Sequence, residues 1–424
     1  MANAFSKEER VAFEEILEGF NDALVLSKNV AVYNTDSTMM ERTGNVIWRP
    51  QPYIAQSFTG TDMTSNFKDF TQLAVPATLG FSKSVPFILT ATELRDALQE
   101  KRLGDAAKQK LASDINVALM NVASLQGTLV VKRTAAASGF DDVAQAEAIM
   151  NEGGVPAYDR YLALSTRDYN GMASNLQVAS RSFGNPKSNN AYEKAFVGEV
   201  ASFGTYKLDY ANRLAAAAGG GSLTISTADA GLNYYIPKAT STAGTGETAN
   251  VDNRYQTVTV SSTTNVAAGD CFTIANVFNV HAITKQNTGQ LKTFRVISVT
   301  NGTTMVISPP LITNQVANDA SAEYQNCTVT TKSATAAIVW LNTVAGYANP
   351  FWQKDSLEIL PGRYAVPTDA GAAVMRATTD QGIELVMQKQ YDINTMKTKY
   401  RLDTLFGVVN KQPEMSGIML FSQT

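Results

Sequence analysis

A break in composition constrains this chain more than any motif does. Ala215–Ala218 and Gly219–Gly221 form a low-complexity hinge. The 118 residues that follow, Leu223 to Trp340, hold only 12 of the 35 basic and 38 acidic side chains in the 424-residue sequence. Charge density there is about half that of the remainder, as in a separately composed module. Tyr255, Val258 and Val260, then Phe294, Val296, Ile297 and Val299 ahead of a turn at Asn301-Gly302, follow strand alternation. The stretch is expected to be a small antiparallel sandwich or barrel, with the Gly-, Thr- and Ser-rich Thr240–Ala249 as a mobile loop. After Trp340 the earlier composition returns, so the module is read as an insertion into an α+β domain.

Outside the module, Ser6 and Glu9 have capping-box spacing, and Val11, Phe13, Ile16, Leu17, Phe20 and Leu24 follow at helical steps. This predicts an amphipathic N-terminal helix whose outer face carries Glu14, Glu15 and Glu18, either as a solvated surface or as a partner-binding one. From Asn45 to Pro86, β-like pieces (Val46–Arg49, Leu73–Ala77) flank a polar middle, Ser57 to Asp69. Pro50, Pro52, Pro76 and Pro86 oppose helix or central strand there. The pattern predicts a long two-stranded arm without a core of its own. Thr90 and Glu93 form a second capping box before a long helix carrying Leu94, Leu98, Ala107, Leu111, Ile115, Leu119 and Val122, with Gly104 marking a kink. Asp141–Met150 predicts a helix ending at Gly153-Gly154, Arg160–Ser165 a strand, and Ile383–Tyr391 with Met396–Phe406 a terminal hairpin.

The residue inventory argues against most chemistry. With a net charge of −3 and a pI near 5.5, the chain has no electrostatic basis for binding nucleic acid by counterion release. A single histidine, His281, precludes His-rich metal centres, and no GxxxxGK[ST] loop is present. His281 sits in the apolar Phe278–Ile283, read as a strand, with no GxSxG elbow, so it is read as a packed or surface residue. Neighbouring carboxylates such as Asp141 and Asp142 would point about 100° apart on a helix and make a poor acid–base pair. No catalytic, cofactor-binding or metal-binding residue is expected, and the chain is read as a non-enzyme. Cys271 and Cys327 are expected to be reduced small hydrophobes. Met1 to Phe20 is too charged for a secretory signal, and no run of about 18 apolar residues occurs to span a bilayer, so a soluble protein made in a cytoplasm is expected.

Several strings, taken in order, resemble the coat proteins of short-tailed Salmonella-type bacteriophages: Phe13-Glu14-Glu15-Ile16-Leu17-Glu18, Asn45-Val46-Ile47-Trp48-Arg49-Pro50, Asn250 through Val260, and Asn349-Pro350-Phe351-Trp352 with Asp355 and Ile359. The resemblance implies a major capsid protein with the Hong Kong 97-type fold: an N-terminal arm (1–44), an extended loop (45–86), a spine helix with a peripheral and axial domain (87–220 and 343–424), and an inserted β-barrel (221–342). It implies self-assembly as hexamers and pentamers into an icosahedral head in the host bacterial cytoplasm. A scaffolding protein, a portal protein and packaged double-stranded DNA, bound without sequence specificity, would be the partners. Glu14, Glu15 and Glu18 would face a basic scaffolding segment. Trp48, Arg49, Asp62, Lys68 and Asp69 on the arm, and Lys238 and Glu247 on the loop 237–251, would make intersubunit contacts. With only two charges, that loop is poorly equipped for a salt-bridge clasp, so main-chain or polar contacts are expected instead.

A second reading makes the β module a carbohydrate-binding or hydrolytic domain, with Tyr234, Tyr235 and Trp340 exposed to stack on sugars.

Overall fold

The computed structural model describes residues 7–33, 45–64, 66–90, 92–93, 97–179, 198–219, 223–226, 234–315, 319–330, 335–366 and 372–424. Ser6, half of the first capping box, and Leu94 lie outside them, as does much of the N-terminal arm. The chain divides into two units, one of Met1–Ile47, Pro76–Leu119 and Leu357–Val409, the other of Trp48–Val75, Met120–Ser356 and Asn410–Thr424.

In the first unit the helix Lys7–Ala23 buries Phe13, Ile16 and Phe20 and leaves Val11 half exposed, so the apolar stripe is narrower than the spacing suggested. Glu9, also on the buried side, accepts hydrogen bonds from Lys389 and, at 3.2 Å, from the Tyr400 hydroxyl. The long helix is Ala97–Gln126, and Thr90 and Glu93 ahead of it form the reciprocal cap: Thr90 N–H donates to the Glu93 carboxylate at 2.9 Å, Glu93 N–H to Thr90 Oγ1 at 3.4 Å. Gly104 has a packing role. A Cβ there would stand 2.5 Å from Ile16 Cδ1, so glycine allows the N-terminal helix to approach closely.

A six-stranded sheet completes this unit, in the order Ala31–Val32, Leu357–Pro361, Lys397–Asn410, Glu384–Asp392, Ala373–Thr378, with Phe81–Thr90 also on Lys397–Asn410. The terminal hairpin is present as Glu384–Asp392 and Lys397–Asn410. Its second strand pairs Phe406 with Phe81 and Tyr400 with Phe87, and both ring pairs stack, at 5.3 and 5.2 Å. Pro86 therefore belongs to a sheet strand rather than to the arm. Among the described residues that strand pairs with Lys397–Asn410 alone, and a one-sided strand accommodates a residue without an N–H.

Two large sheets dominate the second unit. The base sheet runs Leu129–Lys132, Ser416–Leu420, Asn349–Gln353, Arg160–Ser165, Phe203–Leu208, Glu199–Val200, and the helices Phe140–Glu152 and Thr166–Ala179 pack Val143, Ala146, Met150, Tyr169 and Met172 into its core. The string Asn349-Pro350-Phe351-Trp352 is a wholly buried strand of this sheet.

The Leu223–Trp340 stretch forms the other sheet, ordered Thr224–Ser226, Thr335–Trp340, Cys271–Val280, Asn287–Asn301, Thr304–Ser308, Gln256–Thr259, with Cys327–Val329 added beside Cys271–Val280. A bridge between Val260 and Ile225 joins the last strand back to the first, closing a barrel. Inside it Phe272 and Phe294 stack at 5.6 Å among Val258, Ile274, Val296 and Ile307. Gln256, Val258 and Val260 point inward, and Tyr255 lies half-buried between them and the surface. The chain enters and leaves the barrel side by side, because Arg213-Leu214 pairs antiparallel with Gly346-Tyr347.

Candidate assembly surfaces

Three surfaces answer to the residues singled out in the sequence. On the N-terminal helix Glu14, Glu15 and Glu18 are all exposed, opposite the buried Phe13, Ile16 and Phe20. They form one acidic face because positions three and four apart share a side of a helix.

The second surface is a ribbon. Val46–Pro50 pairs with Ala74–Thr78, and Gln51 N–H extends the ladder to the Leu73 carbonyl at 2.8 Å. Beyond that point the chain turns outward with Tyr53, Phe58, Phe67 and Phe70 exposed, Phe67 at 86%. Tyr53 and Phe70 meet edge to face at 6.1 Å, and the Tyr53 hydroxyl donates to Gln72 Oε1 at 2.6 Å, so part of the ribbon is internally ordered. Asp62 is exposed and shapes a turn by accepting from Thr64 N–H at 3.1 Å and Thr64 Oγ1 at 2.6 Å; those bonds hold its carboxyl below the usual range. Asp69 is exposed, whereas Trp48 and Arg49 are half-buried in the paired strand. Lys68 forms an ion pair with Asp319 of the same subunit. The ribbon's root is held more firmly: the Tyr324 hydroxyl donates to the Thr71 carbonyl at 2.7 Å, and Leu73, Ile312 and Tyr324 cluster with Ile54 and Tyr235.

The third surface is the stretch expected to be a mobile loop, which instead forms a hairpin. Thr240–Thr242 pairs with Thr248–Asn250, and the Thr242 and Thr248 hydroxyls lie 3.1 Å apart. Asn253 fixes its root, accepting from Lys238 N–H at 3.0 Å and donating to the Lys238 carbonyl at 2.9 Å. Both Lys238 and Glu247 are exposed. The first is at the root and the second beside the tip, roughly 17 Å apart along the ladder at 3.3 Å per residue.

The residues that tie the barrel to the base were not singled out in the sequence. Arg295, fully buried, donates from Nη2 to the Ser124 carbonyl at 2.5 Å, in the last turn of the long helix, where carbonyls lack an in-helix donor and the dipole favours a cation. Thr293 Oγ1 donates to the Thr128 carbonyl at 2.7 Å. Asn342, fully buried, accepts from Cys271 N–H at 3.0 Å and donates to the Ala215 carbonyl at 3.0 Å and Asp270 Oδ1 at 2.9 Å. Single polar residues in an apolar stretch give no periodic signal. Arg254 lay within one of the strings quoted above; it binds Asp252 and the Asn410 carbonyl, the latter at 2.8 Å.

The residues assigned to sugar stacking are packed inward. Trp340 meets Phe272 edge to face at 5.7 Å, Tyr234 packs on the barrel core, and the Tyr235 hydroxyl donates to Asn253 Oδ1 at 3.1 Å. His281 falls just after the strand rather than on it, its Nδ1 accepting from Ile283 and Thr284 N–H at 3.2 Å each to order a turn. Cys271 and Cys327 are buried free thiols whose pKa values burial pushes up to about 11 and about 12. Among the described residues no group of three or more His, Cys, Asp or Glu is placed to hold a metal, and no helix is long and apolar enough to cross a membrane.

An α+β frame with a long helix, an extended ribbon bearing exposed aromatics and an inserted barrel is the layout of a phage capsid subunit of the Hong Kong 97 type. The family model of the P22 coat protein, gene protein 5, matches residues 1–422, and the chain belongs to that family. Its role is accordingly that of a structural major capsid protein. Among solved structures it is similar to a Mycobacterium phage Che8 chain, at 9% identity over 95% of this chain and 92% of that one, with a TM-score of 0.44. The CUS-3 coat protein I-domain is 36% identical over 28% of this chain and 97% of its own, with a TM-score of 0.22. A chain of the satellite phage P4 procapsid, a structure that includes the size determination (Sid) protein, is 6% identical over 96% and 90%, with a TM-score of 0.38.

Proposed function

We propose that copies of this chain, as hexamers and pentamers, close an icosahedral phage head around double-stranded DNA, assembling in the host cytoplasm with a scaffolding protein and a portal and performing no catalysis. The observation that carries this reading is the ribbon. Phe58, Phe67 and Phe70 are exposed on an extension with no core beneath them, and burial against a neighbouring copy would remove that apolar surface from water. Trp48, Arg49, Asp62 and Asp69 would border that contact. Lys68, engaged with Asp319, would reach a neighbour only by exchanging partners. The hairpin 240–250 would act through its exposed threonines and main chain, since its two charges are too far apart to act together.

Glu14, Glu15 and Glu18 would receive a basic scaffolding segment by a salt-sensitive contact. The inserted module is assigned to 221–342, supported by its closed barrel and the paired strands at its two ends. The test is sedimentation and negative-stain imaging of the chain with a co-expressed scaffolding protein. Closed particles of uniform diameter are expected, and a persistent monomer would reject the reading. Glu14→Lys with Glu15→Lys should lower scaffold binding most at low salt, and unchanged assembly would remove the scaffold assignment alone.

A further inference from the structure

The second unit carries an open recess of ≈ 550 Å³, within the size range of small-ligand sites. Its apolar wall comes from four separate places: Ile54 and Leu73 at the ribbon root, Leu291 and Ile312 on the barrel side, Val155 after the base helix, and Met415 near the C-terminus. The polar lining is unevenly charged. Arg254 is neutralised by Asp252, and Tyr324 is committed to the Thr71 carbonyl. Lys292, buried, pairs with Glu414. Glu152, the other acid of the lining, is exposed. Lys285 is left with one hydrogen bond, to the neutral Gln325 carbonyl at 3.2 Å, and no carboxylate partner among the described residues. Lys285 and Lys292 thus share Glu414 as the nearby carboxylate, and an incoming anion would balance the second charge.

We propose that this recess binds a single-chain anionic amphiphile, its alkyl tail along the apolar wall and its acidic head on Lys285 and Lys292. Burial independently pushes the Lys285 ammonium down to about 8, with Glu414 opposing that shift and Lys292 adding to it, as a desolvated cation with a nearby like charge requires. An anionic head would oppose both disfavouring effects through its charge and raise that pKa.

The probe is decanoate, titrated below its micelle concentration into the purified full-length subunit by calorimetry, with decan-1-ol and decyltrimethylammonium as neutral and cationic partners of the same chain. One decanoate per chain is expected, with the cation bound at least about tenfold more weakly. Lys285→Met should lose about ten- to a hundredfold in decanoate affinity, the worth of a charge-assisted hydrogen bond, while decanol binding stays unchanged and Lys285→Arg restores decanoate. On the wild-type chain, decanoate should protect Lys285 from acylation read by mass spectrometry, a measurement that does not depend on the variants folding. Absence of one-to-one binding, equal affinity for the cation, or no protection of Lys285 would each overturn the proposal.

Discussion

The barrel and the ribbon are both built from antiparallel strands, yet they treat their aromatic residues in opposite ways. The barrel closes on itself and sets Phe272 and Phe294 at its centre with no exposure, whereas the ribbon presents Phe67 and Phe70 to solvent. Apolar surface hidden within one chain stabilises the monomer; the same kind of surface left outside stabilises only contacts between molecules. One polypeptide thus separates the residues that make it fold from those available to make it assemble.

The sharpest way to break this contrast is to truncate one aromatic from each side. Phe272→Ala should destabilise the monomer by about 3–5 kcal/mol through the cavity it leaves, read by urea unfolding. Phe67→Ala should change monomer stability by less than about 0.5 kcal/mol and show its effect in particle yield. Comparable losses of monomer stability in both would erase the distinction. Next in size, Asn342→Ala should cost about 2 kcal/mol, because it strands the Cys271 N–H and the Asp270 carboxylate at the junction of barrel and base. A loss confined to the base sheet, with barrel amide protection unchanged in hydrogen exchange, would show that the barrel holds itself together without that junction.

A smaller effect depends on pH. Between about 8, where Lys285 titrates in the folded chain, and its ordinary value of 10.5, the unfolded chain keeps a proton that the folded chain has released, so this group makes stability rise with pH. The thiols act in the opposite sense: they ionise in the unfolded chain from their ordinary 9.0 but resist to about 11 and about 12 when folded, so stability falls as pH climbs above 9. Subtracting the pH–stability profile of Lys285→Met from that of the wild type isolates the lysine, and a flat difference across 8 to 10.5 would show that it is solvated. The smallest change expected is for Lys68→Ala, which removes an ion pair exposed on both sides and should stay within about 0.5 kcal/mol in the monomer.

Periodic features were legible in the sequence. Strand alternation located the barrel, helical spacing located both long helices, and Thr90 with Glu93 form the expected reciprocal cap. What escaped depends on partners distant in sequence. Gly104 reads as a helix weakness until Ile16, 88 positions earlier, is seen against it. Pro86 reads as a breaker until its strand is seen to pair on one side with the hairpin some 300 residues later. The hairpin at 240–250 reads as a flexible loop because glycine and threonine composition does not reveal that Asn253 pins its root through both main-chain groups of Lys238. On the candidate surfaces, exposure of the glutamates followed from helical phase, but the capture of Lys68 by Asp319 and the inward packing of Trp340 could not be read from local sequence.

The antiparallel pairing of Arg213-Leu214 with Gly346-Tyr347 places the two ends of a long intervening segment about 5 Å apart. For the surrounding chain, that segment is then equivalent to a single tight turn. A foreign domain with neighbouring termini could be carried at the same position, once per copy, without a break in the flanking strands, provided it replaced the donors that Arg295 and Thr293 offer to the Ser124 and Thr128 carbonyls.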